Sequence, residues 1–388
     1  MGELVQQLAA NRAQQIVRLH VENWRNFLKM DVALQQRVFL VGPNASGKSH
    51  FLDVFRFLRD IVDVGGGFQE AVRRRGGISP LRCLAARSNP DIVIRVDVRQ
   101  SDAVSAYELR FGGTRQRVII EKEEVSRNGS TILSRPKEDD RSDPARLTQT
   151  YLEQVNVNRE FRDIADFFRS VRYLHLVPQL VREPDRSVGR KNDPYGGDFL
   201  EQVAQTPAKV RNDRLRRIRD ALRVAVPQLT EIEWYRDGRG ASHLRGKYQH
   251  WRPQGAWQTE DQFSDGTLRL MGLLWAALDK GGPLLLEEPE LSLHPEIVQV
   301  LPQLFARVQE RTERQLFVST HSSDLLHDEG IGLDEVLLLQ PSENGTVVRP
   351  ASALKEIQQL LHGGISLAEA VIPQTRPQHV EQLVLFGN

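Results

Sequence analysis

Apolar and polar residues follow two different periods near the start of the chain. Residues 16–21, IVRLHV, alternate with a period of two, and residues 37–41, RVFLV, form a short apolar run, so both stretches predict β-strands. Over residues 49–62 the apolar positions recur every three or four residues, which predicts an α-helix. The pattern therefore predicts a strand, a glycine-rich loop and a helix in that order.

The middle of the chain changes its period several times. Short alternating runs separated by turn residues fill 91–134 and predict an antiparallel β-meander. The charged, proline-containing stretch 134–147 predicts a loop, and residues 148–226 carry helical patterning. Residues 231–248 predict a β-hairpin that turns near Asp237 and Gly238.

Helical and strand patterns alternate from residue 265 onward, as in the first part of the chain. This alternation, together with the meander over 91–134, predicts an α/β fold with an antiparallel β subdomain. The expected segments are an N-terminal lobe at 1–134, a helical insertion with a β-hairpin at 135–260, a C-terminal lobe at 261–345 and a tail at 346–388.

Composition excludes several classes of protein. Lys plus Arg is 52 and Asp plus Glu is 51, so the overall charge does not favour nucleic acid. The single cysteine, Cys83, excludes disulfides and multi-cysteine zinc sites. The longest apolar runs, such as 271–278, are far shorter than the ~20 residues of a membrane-spanning helix, and the N-terminus lacks a signal-peptide apolar core. We therefore expect a cytoplasmic protein without a membrane partner.

Residues 42–49, GPNASGKS, carry the strongest chemical signal. The stretch matches G-x-x-x-x-G-K-[ST] and lies between a predicted strand and a predicted helix, which is the context that such a loop requires. Small residues let backbone N–H groups surround phosphates, and the helix N-terminus adds partial positive charge. We expect Lys48 to reach the outer phosphates of ATP and the Ser49 hydroxyl to bind Mg²⁺. The candidate nucleotide-binding residues here are Gly42, Pro43, Asn44, Ala45, Ser46, Gly47, Lys48, Ser49 and His50.

Three later stretches carry polar groups at the ends of apolar elements. In PLLLEEPEL, 283–291, a buried strand ends in two carboxylates, although a strand that simply enters solvent has the same pattern. In QFSDGTLRL, 262–270, a serine and a glycine precede an apolar helix, which an ordinary N-cap would also explain. In LFVSTHSSDLL, 316–326, a strand ends in a histidine that could sense a γ-phosphate or be a surface residue.

Taken in order, these four motifs resemble the ATP-binding-cassette class of P-loop ATPases. Within that class the chain is most similar to the cytosolic heads of the RecF, SMC and OLD type, and VENWRNF at 21–27 resembles the opening of those heads. The resemblance covers residues 16–60 and 260–340 with specific motifs. It implies an ABC-ATPase head with a mixed sheet and a helical insertion or lid.

The resemblance assigns a role to each motif residue. Lys48 and Ser49 would hold phosphate and Mg²⁺, Glu287 would hold Mg²⁺, and Glu288 would orient or deprotonate the attacking water. His321 would be the switch histidine. Two copies would enclose two ATP molecules, each signature loop contacting the γ-phosphate held by the partner copy. The signature loop would be Ser264, Asp265 and Gly266, and the dimer-contacting D-loop would be Ser292, Leu293 and His294.

The sequence departs from the family pattern at two residues and leaves the Q-loop glutamine open. Glu287 stands where Asp is usual, and Asp265 stands where the signature usually has its second glycine. Gln69 and Gln179 are both candidates for the Q-loop glutamine. About 215 residues separate Ser49 from Ser264, too few for an SMC-length coiled coil, and the 67 residues after His321 are too few for a TOPRIM nuclease domain.

We therefore expect an ATPase that regulates a separately encoded effector, possibly a nuclease, in bacterial anti-phage defence. The tail at 362–388 could dock that effector or pack on its own head. One alternative is a RecF-like ATPase in DNA repair, with RRRGG at 73–77 and RNDRLRRIR at 211–219 touching DNA phosphates. Another alternative, motivated by Glu287, is a slow ATP-sensing scaffold.

Overall fold

A computed structural model describes residues 14–86, 91–114, 117–183, 193–251, 256–279 and 281–376. The strands are β1 (Gln15–Trp24), β2 (Phe27–Ala33), β3 (Arg37–Val41), β4 (Ile92–Gln100), β5 (Ala103–Gly113), β6 (Val118–Arg127), β7 (Ser130–Arg135), β8 (Arg172–Leu174), β9 (Leu229–Arg236), β10 (Ser242–Tyr248), β11 (Ala256–Thr259), β12 (Leu284–Glu287), β13 (Leu316–Thr320), β14 (Val336–Ser342) and β15 (Gly345–Pro350). The α-helices are α1 (Lys48–Val62), α2 (Phe68–Arg73), α3 (Glu138–Ser142), α4 (Arg162–Arg169), α5 (Pro178–Arg182), α6 (Phe199–Gln205), α7 (Ala208–Ala225), α8 (Asp265–Ala277), α9 (Pro295–Thr312), α10 (Lys355–His362) and α11 (Leu367–Val371).

The chain forms two compact units, and each is built from separated stretches. The first unit comprises Met1–Arg172, Gly281–Leu285 and Glu313–Asn388, and the second comprises Tyr173–Lys280 and Leu286–Thr312. The four sequence-based segments describe the chain in linear order, and their boundaries remain a prediction.

One sheet of the first unit is antiparallel throughout and has the strand order β2-β1-β4-β5-β6-β7. It contains the meander predicted over 91–134, which is confirmed as β4 to β7. Over residues 94–98 of β4 and 107–111 of β5 the buried residues alternate with partly exposed ones, because successive side chains of a strand point to opposite faces.

The second sheet has the strand order β15-β14-β3-β13-β12-β8. At its centre β3 pairs in parallel with both β13 and β14. All five residues of β3 are buried, as expected for a parallel strand that is covered on both faces. Helix α1 follows β3 and packs aromatic side chains into the core, with Phe55 4.9 Å from Phe317 of β13 between ring centroids.

The predicted loop at 134–147 is wrong in part, because the structure has α3 and a 3₁₀ segment, Pro144–Thr148, there. The Arg135 guanidinium donates to Asp140 at 2.8 and 3.0 Å and to Glu123 at 3.0 Å, and all three side chains are fully buried. Charged residues usually indicate a solvated loop. Here the charged side chains pair in the interior of the first unit, and the bond from Arg135 to Glu123 holds this segment against β6.

In the second unit α7 packs on β9 of a three-stranded antiparallel sheet with the order β11-β10-β9. The hairpin predicted over 231–248 is confirmed as β9 and β10, which join through a turn where the Gly240 amide donates to Asp237 O at 3.1 Å. Helix α8 is apolar along most of its length and is largely buried.

The C-terminal segment packs on the first unit through α10 and α11, whose buried residues include Ile357 and Val371. This packing accounts for the described part of the 362–388 tail, and residues 377–388 lie outside the described residues. None of the helices described is long and apolar enough to span a membrane.

Candidate functional site

The Gly42–Ser49 loop connects the buried strand β3 to α1, as the sequence predicts. Gly42 lies so close to β14 that an added Cβ would be 2.7 Å from Leu339 O and 2.5 Å from Ser46 Oγ. Gly47 has φ 96°, in the left-handed region that favours glycine. Both glycines of the motif are therefore required by the backbone that they form.

Lys48 lies at the start of α1 with its side chain largely buried over the loop. Its Nζ donates to Gly42 O at 2.8 Å and to Pro43 O at 3.2 Å. A cation held against two loop carbonyls lies beside the backbone amides that follow them. This arrangement places positive charge at the helix N-terminus, where anions bind.

The other residues of the loop divide into exposed and internal ones. Asn44, Ala45 and Ser49 are exposed, and Ser46 is buried with no hydrogen-bond partner for its Oγ. His50, which the sequence placed among the nucleotide-binding residues, directs its Nδ1 to Asn26 Oδ1 at 2.5 Å.

His321 follows the last residue of β13. In the parallel pairing of β13 with β3, Thr320 lies opposite Val41, so His321 leaves the sheet at the same edge as the Gly42–Ser49 loop. The His321 residue is exposed, whereas Thr320 is buried and its Oγ1 accepts from the Ser322 amide at 3.0 Å. The first unit thus brings the loop and the predicted switch histidine to neighbouring strand ends.

Glu287 ends β12 and lies in the second unit. The Tyr173 hydroxyl of β8 donates a short hydrogen bond to Glu287 Oε2, and His175 Nδ1 is 3.2 Å from Glu287 O. Sequence reasoning missed Tyr173, because 114 residues separate it from Glu287 and no motif marks it. The Tyr173 hydroxyl therefore orients the Glu287 carboxylate, which is the predicted metal ligand.

Glu288 has φ 45°, an unusual left-handed conformation for a residue with a long side chain. The turn after it is fixed where the Leu291 amide donates to Glu288 O at 3.2 Å. Burial lowers the pKa of the Arg269 guanidinium in α8, and the charges of Asp265 and Glu288 oppose that shift. Arg269 therefore lies within electrostatic range of both predicted site carboxylates, a relationship that no sequence motif indicated.

Ser264 caps α8, with its Oγ accepting from the Thr267 amide at 3.2 Å. Arg182 of α5 braces the same segment by donating to Phe263 O at 2.7 Å and pairing with Asp265 at 2.6 Å. Ser264 is exposed, so an exposed hydroxyl stands at the N-terminus of a 13-residue helix.

Gly266 and Ser292 are packed against each other. An added Cβ on Gly266 would lie 2.6 Å from Ser292 O, and Ser292 itself has φ 62°. The predicted signature loop and D-loop line one cavity of about 170 Å³, whose apolar wall comes partly from the end of α7. The lining residues are Leu222, Ala225, Val226, Ser264, Gly266, Thr267, Leu270, Ser292, Leu293, His294 and Ile297.

The two Q-loop candidates differ in their surroundings. Gln69, on α2, donates through its Nε2 to Val118 O at 2.9 Å and to Thr148 O at 3.0 Å. Gln179, on α5, is exposed. The amide of Gln69 is thus engaged within the first unit, and Gln179 shares its short helix with Arg182.

Arginines of the predicted DNA-binding stretches are largely used inside each unit. Arg75 pairs with Asp53 at 2.8 Å and with Asp60 at 3.0 Å, and its side chain is almost fully buried. In α7, Arg211 lies 3.9 Å from the Trp234 ring centroid and Arg214 pairs with Asp279 at 3.0 Å. Only part of each cluster therefore faces solvent.

Among the described residues, no group of three or more His, Cys, Asp or Glu side chains could hold a metal ion. Mg²⁺ is usually held by one or two protein oxygens together with substrate phosphates. In the first unit, the exposed Ser49 at the start of α1 can supply one such oxygen, and in the second unit the Glu287 carboxylate that Tyr173 orients can supply another.

A family model described as "AAA domain, putative AbiEii toxin, Type IV TA system" matches residues 37–328. Two of the solved structures that match this chain illustrate the shared fold. An SMC head bound to the C-terminal winged-helix domain of ScpA is 12% identical, with 86% of this chain and 96% of that chain covered and a TM-score of 0.52. An SMC head from Pyrococcus furiosus, bound to the C-terminal domain of ScpA, is 10% identical, with 90% and 100% covered and a TM-score of 0.50. No curated protein sequence matches this chain. The predicted fold, an ABC-type ATPase head with mixed and antiparallel sheets, is confirmed.

Proposed function

Because the chain belongs to the family described as "AAA domain, putative AbiEii toxin, Type IV TA system", we propose that it binds ATP on the Gly42–Ser49 loop and hydrolyses it. The observation that carries this proposal is the built loop, whose glycines are fixed by close contacts and whose lysine lies over its carbonyls. Backbone amides and one cation at a helix N-terminus suit a polyphosphate.

Each site residue has one task in the proposed reaction. Lys48 moves from the carbonyls of Gly42 and Pro43 to the outer phosphates. Ser49 and Glu287 would each offer an oxygen ligand to Mg²⁺, which would neutralise charge on those phosphates. Glu288 orients the attacking water and accepts its proton, and His321 donates to the γ-phosphate.

Binding and turnover are tested by measuring ATP affinity and phosphate release of the purified protein. We expect Lys48→Ala to abolish ATP binding, whereas Lys29→Ala, an exposed lysine of β2, leaves it unchanged. A wild-type protein that does not bind ATP would refute the proposal. If the wild type and Glu288→Gln both bind ATP and release phosphate at the same slow rate, the result would instead support the ATP-sensing scaffold.

We infer further that two copies close around ATP, each offering Ser264 and the N-terminus of α8 to the γ-phosphate of the other. The exposed Ser264 hydroxyl and the packing of Gly266 on Ser292 support this, because one rigid surface would then carry both contacts. We expect Glu288→Gln to accumulate a dimer with Mg·ATP, measured as molar mass in solution. Glu296→Gln, an exposed acid of α9, is the control. A strictly monomeric Glu288→Gln protein would exclude the dimer.

A separately encoded effector, possibly a nuclease in anti-phage defence, is the partner that we propose. The family description names a toxin of a toxin–antitoxin system, and both SMC heads are bound to a domain of a separate protein. Co-purification of a native partner, lost in Lys48→Ala, would test this role.

DNA is the second candidate partner, because α7 keeps Arg216, Arg217 and Arg223 exposed. Phosphate contacts make affinity fall steeply with salt. We expect a duplex-binding head to lose affinity in Arg216→Glu/Arg217→Glu with a reduced salt slope. Equal binding by wild type and variant would leave the α7 surface without a role in DNA binding.

A further inference from the structure

We propose that Thr346 and Asn26 are positioning residues that hold the backbone of the Gly42–Ser49 loop in the conformation that binds phosphate. This inference rests on the proposed function, since it concerns the same loop. Both residues lie outside the motif, in the first unit. Thr346 is the second residue of β15, and Asn26 lies in the β1–β2 turn.

Two side chains tie down two consecutive carbonyls of the loop. Thr346 Oγ1 donates to Ser46 O at 2.8 Å, and Asn26 Nδ2 donates to Ala45 O at 3.0 Å. The two residues also bind each other, since the Thr346 amide donates to Asn26 O at 2.7 Å. Thr346 is only 4% exposed, so water does not compete for its hydroxyl.

The direction of a carbonyl decides the direction of the next amide. A peptide unit is planar and trans, so its C=O and N–H point to opposite sides. Thr346 fixes the Ser46–Gly47 peptide by its oxygen and thereby points the Gly47 N–H away from β15. Asn26 fixes the preceding peptide, whose Ser46 N–H donates to Pro43 O at 3.2 Å and closes the turn.

The loop needs this support because its backbone is strained. Ala45 has φ 63° and Gly47 has φ 96°, and a non-glycine residue in the left-handed region persists only when its surroundings hold it there. Without the two side-chain donors, rotation of either peptide would relax the loop and misdirect an amide.

The close seating of the β14–β15 turn makes the support rigid. An added Cβ on Gly345, the first residue of β15, would lie 2.4 Å from Asn26 O, so the start of β15 is in backbone contact with the β1–β2 turn. The Asn26 side chain is held on its other side by His50 Nδ1 at 2.5 Å, and the Trp24 indole donates to His50 O at 3.0 Å. Thr346 and Asn26 therefore belong to one packed assembly around the loop.

The test compares Thr346→Val with Thr346→Ser and Thr375→Val. Valine keeps the shape of threonine and removes the donor, and serine restores the donor. Thr375 is a matched control, because it is also buried and its Oγ1 also donates to a backbone carbonyl, Ile372 O, at 2.8 Å. The readouts are the Kd of ATP, its displacement by inorganic triphosphate, KM and kcat, and the Tm without nucleotide.

We expect Thr346→Val to weaken ATP and triphosphate binding about tenfold, which corresponds to about 1.4 kcal/mol. KM should rise by a similar factor while kcat stays within about twofold, since the loop binds ground and transition states alike. Thr346→Ser should restore the Kd. Thr375→Val should lower the Tm about as much as Thr346→Val and leave the Kd unchanged.

An unchanged Kd in a folded Thr346→Val protein, with Thr375→Val as reference, would overturn the inference and leave ATP binding intact. Failure of wild type and Thr375→Val to bind ATP would overturn the proposed function itself. If Thr346→Val does not fold, Asn26→Ala is the alternative variant, because it removes the donor to Ala45 O. It is expected to weaken ATP binding as well, and a wild-type Kd in that variant would equally refute the inference.

Discussion

Replacement of Arg135 by Met is expected to cause the largest loss of stability among the changes considered for this protein. The guanidinium makes hydrogen bonds of 2.8 to 3.0 Å with Asp140 and Glu123 and also donates to Gln149 O and Arg146 O, each at 3.0 Å. It lies 3.8 Å from the Tyr151 ring centroid. Methionine would fill the space and leave two fully buried carboxylates without their cation.

Breaking a buried ion pair by removing one partner costs about 3–5 kcal/mol. For a unit of this size each kcal/mol lowers the Tm by about 2–4 °C, so we expect a fall of about 10 °C. The measurement is thermal and urea unfolding of Arg135→Met. Arg127→Met is the control, because Arg127 and its partner Asp163 are both more than one-third exposed and such pairs contribute about 1 kcal/mol or less.

Acid should reduce the difference between wild type and Arg135→Met. The hydrogen bonds from Arg135 hold the pKa of Asp140 below its usual range, so this contribution is present above the ordinary Asp pKa of about 4 and is lost as the pH falls below it. Equal Tm values for Arg135→Met and Arg127→Met at pH 7 would refute the view that the buried network anchors residues 135–153.

Three changes in the second unit test its site contacts. Tyr173→Phe removes the hydroxyl that donates to Glu287 and should lower the free energy of unfolding by about 2 kcal/mol. It should also raise the Mg²⁺ concentration needed for phosphate release, whereas Tyr195→Phe should leave that concentration unchanged. Gly266→Ala should lower the free energy of unfolding by about 1–3 kcal/mol and prevent formation of the ATP-bound dimer, because the added Cβ would lie 2.6 Å from Ser292 O. Gly238→Ala is the control, since Gly238 has open space around it. A normal dimer in Gly266→Ala would contradict the packing of Gly266 on Ser292. Arg182→Met frees Asp265 and should weaken dimer formation in Glu288→Gln, and an unchanged dimer would show that the brace is dispensable.

The parts predicted correctly from sequence are those that depend on neighbouring residues. The Gly42–Ser49 loop, its flanking strand and helix, and the meander of β4 to β7 all follow from periodicity and from a contiguous motif. Backbone requirements of this kind are local, since a left-handed φ at Gly47 needs a glycine at that position whatever the rest of the chain does.

Hydrogen bonds between residues that lie far apart in the sequence could not be predicted. Tyr173 on Glu287 and Thr346 on Ser46 are single side chains of ordinary type, and only the folded topology selects them. The loop prediction for residues 134–147 was wrong in part for a different reason. Charge is a reliable sign of exposure only when no opposite charge is available in the interior, and Glu123 lies on another strand.

The bond from Thr346 to Ser46 spans 300 residues of sequence. A ribosome that adds about 5–20 residues per second needs roughly 15–60 s to synthesise the residues between Ser46 and Thr346. During that time the Gly42–Ser49 loop lacks the hydrogen bond from β15. Strand β3 likewise lacks both of its neighbours in the sheet until β13 and β14 have been synthesised. Nascent chains should consequently remain unable to capture ATP until β15 has been made, which would keep heads truncated before β15 from competing with intact ones.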